Sequence, residues 1–120
     1  MRHGWITTLR LDGSPRASRV WFVESGGSVW IATAEANRKV ADIRRDPRST
    51  FAVEGRHGAR TMTASIQSID SEPGVLASFT RDYDGWDASD PTADGPRVLI
   101  RLTAPEQQFS DESRQPPAGE

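Results

Sequence analysis

The chain has 120 residues and a net charge of −2, from 15 Lys and Arg against 17 Asp and Glu. This length predicts a single domain, since domains usually hold about 100–200 residues. The nearly balanced charge gives no electrostatic reason to expect binding to nucleic acid or to an anionic membrane surface. The absence of Cys excludes disulfide frameworks, thiolate zinc sites and cysteine nucleophiles.

Hydrophobic residues make up 35% of the chain, a low share for a globular domain even after allowance for Gly. A thin core of this kind often gains burial from a partner subunit or a bound ligand. No apolar run approaches the roughly 18–20 residues of a membrane span, and the first residues lack the apolar core of a secretion signal. We therefore expect a cytoplasmic protein.

The early part of the chain predicts three strands. The segments 5–11 and 17–24 combine aromatic and β-branched residues and are separated by a turn. The segment 29–33 follows Gly26 and Gly27, which allow the positive φ angles of a primed hairpin turn. Together these strands predict an antiparallel meander.

The spacing of apolar residues changes after Thr33. Val40 and Ile43 then recur at helical spacing, which predicts a short helix that ends before Pro47. Thr33 and Asn37 are the two candidates for the residue that caps its start.

The rest of the chain predicts further strands at 49–55, 61–69 and 97–103, with a second helix over 72–83. Six strands and two short helices indicate a mostly β (α+β) fold. A small closed or split antiparallel barrel is the simplest arrangement that leaves no exposed sheet edge.

The domain is expected to span residues 1–109, whose last aromatic residue is Phe109. The segment 110–120 is polar, rich in Pro and Gly and without periodicity, so we expect a disordered tail.

The start of the first helix is the strongest candidate for a binding site. Arg38 and Lys39 place two cations in the first turn, where the helix dipole favours anions. A phosphate there would be held by free N–H groups, the Thr33 hydroxyl and these two side chains. We call Thr33, Asn37, Arg38 and Lys39 the anion site. The alternative interpretation is a solvated basic helix end.

The strand before the hairpin leads directly to this anion site. A flat ring attached to the phosphate would therefore lie along residues Ser18–Phe22, with Trp21 or Trp30 packing on it. Such a ligand is flavin-like. The alternative interpretation is that Trp21 and Trp30 are core aromatics on paired strands.

No metal site is expected, because the chain has only two His and no Cys. The acidic run at 82–90 lacks the Gly and Glu positions of an EF-hand loop, and we predict a turn region there.

Two long segments carry a resemblance to a known family. They are TTLRLDGSPRASRVWFVESGGSVWIAT at 7–33 and NRKVADIRRDPRSTFAVEG at 37–55. Both are similar to the pyridoxamine-phosphate-oxidase-like split barrels, specifically to the flavin- and deazaflavin-dependent oxidoreductases common in actinobacteria. The likeness continues through DYDGWD and DGPRVLIRLT, so it covers roughly residues 5–104.

The resemblance implies a split barrel that binds FMN or coenzyme F420 at the interface of a homodimer. By position, the phosphate contacts fall on Thr33, Arg38 and Lys39, with Asn37 between the strand end and the two cations. The strand that lines the ring falls on Ser18, Arg19, Val20, Trp21 and Phe22. Two positions depart from the family pattern, since Arg19 stands where relatives often have Pro and Met62 stands where they have Gly.

The resemblance also implies an activity, namely hydride transfer from a reduced cofactor to an unsaturated small molecule. Lys39 is the only lysine among 15 cationic residues, a bias that suggests a GC-rich genome. We favour F420 over FMN because of this bias and because the resemblance is closer to actinobacterial relatives. No side-chain acid or base is common to the family's reactions, so no catalytic residue is predicted. A non-catalytic protein that binds the cofactor or a tetrapyrrole is the alternative, although neither His3 nor His57 has a convincing ligand context.

Overall fold

The computed structural model describes residues 1–105 of the chain. These residues form one antiparallel sheet of seven strands with two helices packed on it, which confirms the predicted mostly β architecture. The predicted tail at 110–120 and Phe109 lie outside the described residues. The strands are β1 (His3–Leu9), β2 (Pro15–Trp21), β3 (Val23–Ser25), β4 (Ser28–Ala34), β5 (Arg48–Val53), β6 (Arg60–Ser68) and β7 (Arg97–Thr103), and the helices are α1 (Arg38–Arg45) and α2 (Pro73–Asp82).

The sheet closes on itself through one bent stretch of chain. Its strand order is β2-β1-β5-β6-β7-β4-β3, so β2 and β3 lie at opposite ends of the order. Only Phe22 separates these two strands along the chain. The chain therefore passes directly from one end of the sheet to the other, and the predicted strand at 17–24 becomes two strands because it is interrupted at Phe22.

The hydroxyl of Tyr83 binds the backbone at this bend. The N–H of Phe22 donates to Tyr83 Oη at 2.9 Å. Tyr83 Oη lies 2.6 Å from the carbonyl oxygen of Phe22 and 2.8 Å from that of Arg2, and these two oxygens share its one proton as acceptors. Burial raises the pKa of Tyr83, so its hydroxyl keeps the proton that it donates. Tyr83 thus satisfies backbone groups that the bend removes from the strand ladders.

Two hydrophobic clusters lie on the two faces of the curved sheet. The inner cluster fills the barrel and consists of Ile6, Val20, Phe22, Val29, Ile31, Ile43, Phe51, Met62, Ala64, Ile100 and Leu102. The outer cluster packs α2 against the sheet and includes Val23, Trp30, Val75, Phe79, Tyr83 and Leu99. Met62, one of the two departures from the family pattern, is therefore a residue of the barrel core.

Two local predictions can be compared directly with the backbone. Gly26 and Gly27 have φ angles of 60° and 78°, which confirms the primed turn. Asn37 caps α1, since its Oδ1 accepts a hydrogen bond from the N–H of Lys39 at 3.1 Å. The prediction of Thr33 as a candidate cap was wrong, because β4 continues past Thr33 and pairs this residue with Val98 of β7.

Candidate functional site

The predicted site residues lie on β2, at the end of β4 and at the start of α1. Ser18, Arg19, Val20 and Trp21 belong to β2, and Phe22 follows directly. Thr33 is the penultimate residue of β4, Asn37 caps α1, and Arg38 and Lys39 form its first turn. Their roles as cofactor contacts stay predictions.

Lys39 is a buried cation with no carboxylate partner among residues 1–105. It is 6% exposed, and its Nζ donates a hydrogen bond to Asn37 Oδ1 at 3.0 Å. Burial, followed by the nearby charge of Arg16, lowers the pKa of Lys39. A buried ammonium whose acceptor is a neutral amide is costly, and an anion beside it would remove much of that cost.

Arg38 adds a second uncompensated cation to the same turn. Its side chain is exposed and forms no ion pair with a described residue. The first turn of α1 contains no acidic residue. The helix dipole and both cations therefore act in the same direction and favour an anion at this position.

A buried carboxylate lies one turn further along α1. Asp42 is 3% exposed, and its Oδ2 accepts hydrogen bonds from Thr8 Oγ1 at 2.8 Å and from Arg16 Nε at 2.7 Å. Its Oδ1 accepts a third hydrogen bond from Arg45 Nη2 at 3.2 Å. Burial raises the pKa of Asp42, but the hydrogen bonds from Arg16, Thr8 and Arg45 outweigh burial and hold this pKa below 3.8.

Sequence reasoning did not identify Asp42 or Arg16. Asp42 lies beside Ile43 on the buried side of α1, and a carboxylate between core positions of a short helix is a signal that it has a partner. Arg16 alternates with Ser18 and Val20 on the less exposed face of β2. That alternation was visible in the sequence, whereas the pairing of Arg16 with Asp42 is a tertiary contact.

The side chains of the strand predicted to line the ring already pack against or pair with other residues of the chain. Val20 and Phe22 lie in the barrel core, and Arg19 pairs with Glu54 at 2.8 Å. The ring of Trp21 stacks on that of Tyr83 at a centroid distance of 4.7 Å. The packing of Trp21 agrees with its interpretation as a core aromatic.

Trp30 is also a packing residue. It is buried in the outer cluster, and its Nε1 donates to the carbonyl oxygen of Ser25 at 3.2 Å. The backbone of β2 is available to bind a ligand, because this strand is at one end of the sheet order and one of its edges has no ladder partner among the described strands.

The surface of the single chain has five clefts with volumes of about 320–570 Å³. None of these five is lined by Thr33, Asn37, Arg38 or Lys39. Asn37 and Arg38 are exposed, so a ligand at the anion site would be open to solvent on one side unless a second subunit covers it.

Two further properties concern the described residues as a whole. Within residues 1–105, no three His, Asp or Glu side chains are grouped so that they could hold a metal ion. Neither helix in this range has the length and apolar character needed to cross a membrane.

Comparison with known proteins links this geometry to one family. A family model described as pyridoxamine 5'-phosphate oxidase matches residues 2–111. A conserved hypothetical protein from Mycobacterium tuberculosis is 25% identical with a TM-score of 0.68, over 88% of this chain and 74% of that one. An F420 reductase is 22% identical with a TM-score of 0.65, over 87% and 86% of the two chains.

The same fold occurs in a heme storage protein from Vibrio cholerae, which is 18% identical with a TM-score of 0.69, over 87% of this chain and 82% of that one. No curated protein matches the chain.

Proposed function

The chain belongs to the pyridoxamine 5'-phosphate oxidase family, and we propose that it is an oxidoreductase that uses coenzyme F420, with FMN as the alternative cofactor. The bound reduced cofactor supplies a hydride to an unsaturated small molecule. The single observation that carries this proposal is Lys39, a buried cation without a carboxylate partner among the described residues.

The anion site fits a phosphate ester. Lys39 supplies a point charge and Arg38 supplies a second cation. The N–H groups of Lys39 and Val40 bind Asn37, so the N–H of Arg38 is the one in this first turn that forms no hydrogen bond with a described residue. F420 and FMN both carry a phosphate on a ribityl chain attached to a three-ring heterocycle. The proposal therefore assigns the anion site to the part that the two cofactors share.

The free edge of β2 supports the placement of the ring. A strand edge presents alternating N–H and C=O groups, and the pyrimidine edge of a flavin or deazaflavin presents acceptors and a donor in the same plane. Tyr83 keeps the end of this strand in place through its hydrogen bonds at Phe22. In the proposed complex the backbone of β2 orients the ring, and no catalytic side chain is assigned.

A homodimer is part of the proposal. Trp5 is 42% exposed on the outer face of β1, opposite Arg19 of β2 and Ala52 of β5. Thr7 on the same face lies opposite Ala17 and Thr50. The exposed Trp5 and the small neutral side chains of this face, with the Arg19–Glu54 ion pair beside them, suit contact with a second copy of the chain, and we propose that this copy also covers the anion site.

Fluorescence titration of the purified protein with F420, FMN and hemin tests the proposal. Quinones and enones are then offered to the protein loaded with the reduced cofactor, and oxidation is followed by absorbance. We expect F420 to bind and its reduced form to be oxidised, whereas binding of FMN alone selects the alternative cofactor. Binding of hemin alone, or of no ligand, would contradict the proposal. His3 is not available as a heme ligand through its Nε2 without losing a contact, because that atom accepts a hydrogen bond from Trp21 Nε1 at 3.0 Å.

A further inference from the structure

We infer that Arg16 is a further phosphate-binding residue, which Asp42 holds in position beside Lys39. The inference rests on the proposed function, since it adds a side chain from β2 to the same anion site.

The hydrogen bonds of Arg16 leave most of its donors free. Its Nε donates to Asp42 Oδ2 at 2.7 Å. Its two terminal nitrogens, Nη1 and Nη2, donate no hydrogen bond to any residue in 1–105. The Arg16 side chain is 23% exposed, so part of it is accessible to a ligand. A guanidinium anchored at one atom with its fork free is arranged to bind two oxygens of a phosphate.

The charges around Arg16 also favour an anion. Asp42 is the carboxylate that pairs with Arg16 and Arg45, and it carries one negative charge. Lys39 and Arg38 have no carboxylate of their own among the described residues. Arg16 is close enough to Lys39 for its charge to disfavour the ammonium form. An anionic phosphate group bound by both side chains would replace this repulsion with two attractions.

Asp42 is a positioning residue in this account, because it touches Arg16 and not the ligand. Its second hydrogen bond, from the buried hydroxyl of Thr8, fixes the same oxygen that binds Arg16. A purely structural ion pair predicts loss of stability on removal of Arg16 and nothing specific to phosphate. A phosphate-binding Arg16 predicts a loss that depends on the phosphate of the ligand.

The test compares ligands with and without that phosphate, and FMN and riboflavin differ in the phosphate alone. Dissociation constants for FMN and riboflavin, and for F420 and its phosphate-free ring-and-ribityl precursor, are measured with the wild type and with Arg16→Gln. Arg81→Gln on α2 is the matched control, since Arg81 is exposed and pairs with its neighbour Asp82. We expect Arg16→Gln to weaken FMN and F420 by about 10–100-fold, the usual range for a lost charge-assisted hydrogen bond, and to leave the phosphate-free ligands unchanged.

Two additional variants separate positioning from folding. Arg16→Lys keeps the charge but not the fork, so we expect an intermediate loss for FMN, and this variant replaces Arg16→Gln if the latter does not fold. Asp42→Asn should reduce the preference for FMN over riboflavin as well as the stability. An equal loss for FMN and riboflavin, or an unchanged FMN affinity in a folded Arg16 variant, would overturn the inference.

A second readout does not depend on either cofactor. Inorganic phosphate should raise the melting temperature of the wild type above that in chloride at equal ionic strength, and Arg16→Gln should abolish the difference. If this holds while F420 and FMN do not bind, the proposed function fails and the inference stands. If the cofactors bind but phosphate discrimination does not depend on Arg16, the inference fails and the proposed function stands.

Discussion

At the scale of single residues, Lys39 lowers the stability of the ligand-free protein and favours the binding of an anion. Its pKa in the folded protein is lowered from 10.5, so the unfolded chain binds this proton more tightly than the folded chain does. Stability rises with pH wherever the unfolded state binds more protons. Lys39 therefore destabilises the ligand-free protein below its lowered pKa, and this effect disappears as the pH rises from that value towards 10.5.

Lys39→Met should accordingly stabilise the ligand-free protein at neutral pH by about 0.5–2 kcal/mol, the usual size of a stabilising substitution. The Met side chain has a similar length and no charge, and the N–H of residue 39 keeps its hydrogen bond to the Asn37 side chain. Urea unfolding at neutral pH and at about pH 10, near the ordinary pKa of lysine, measures the effect, and the advantage of the variant should shrink at the higher pH. Arg38→Met, on the exposed side of the same turn, is the control, and its stability relative to the wild type should not depend on pH in this way. A Lys39→Met protein that is less stable than the wild type at neutral pH would contradict this reading.

At the scale of secondary structure, the bend between β2 and β3 depends on one hydroxyl group. Tyr83→Phe retains the ring that stacks on Trp21 but leaves the buried N–H and C=O of Phe22 without this partner. We expect a loss of about 1–3 kcal/mol in the free energy of unfolding, the usual cost of an unsatisfied buried polar group.

Urea unfolding of this variant beside Thr80→Val makes the comparison specific. Thr80 is an exposed hydroxyl on the same helix, whose Oγ1 donates to the carbonyl oxygen of Leu76 or Trp86. Its removal should change stability by less than about 0.5 kcal/mol. Equal stability of Tyr83→Phe and the wild type would show that the bend is held by other contacts.

The elements that the sequence predicted well are those defined by local patterns. The strand at 97–103 and the glycine turn at Gly26 and Gly27 follow from alternation and from backbone freedom. The interruption at Phe22 could not be predicted in this way, because its partner Tyr83 lies 61 residues away along the chain. A local pattern does not contain a contact of that length.

In the candidate site, too, the features set by local sequence could be predicted and those set by long-range contacts could not. Lys39 and its capping residue Asn37 are neighbours in sequence, so charge and helix start were visible together. Arg16 and Asp42 are 26 residues apart, and only the packing of α1 beside the barrel brings them together. Thr33 was predicted as the end of the strand at 29–33 and as a candidate cap of α1, because the ladder with β7 that extends the strand to Ala34 is also a tertiary feature.

At the scale of the whole molecule, the proposed dimer makes the site complete. The wild type should be a dimer at micromolar concentration, and its melting temperature should rise with protein concentration, because association stabilises the folded state. Trp5→Glu should give a monomer, since it places a charge at the centre of the outer face of β1. Light scattering measures both, with Leu11→Glu as the control, because Leu11 is exposed in the turn between β1 and β2. A monomeric wild type, or a dimeric Trp5→Glu, would contradict the proposed interface.

The central claim is that Lys39 binds the phosphate of a flavin or deazaflavin cofactor. The most direct measurement is the dissociation constant of F420 and of FMN for the wild type and for Lys39→Met, with riboflavin as the phosphate-free reference. The account predicts a loss of about 1–3 kcal/mol for the phosphorylated ligands, or about 5–150-fold in affinity, in a variant that remains folded. Unchanged affinity for both F420 and FMN in that variant would contradict it.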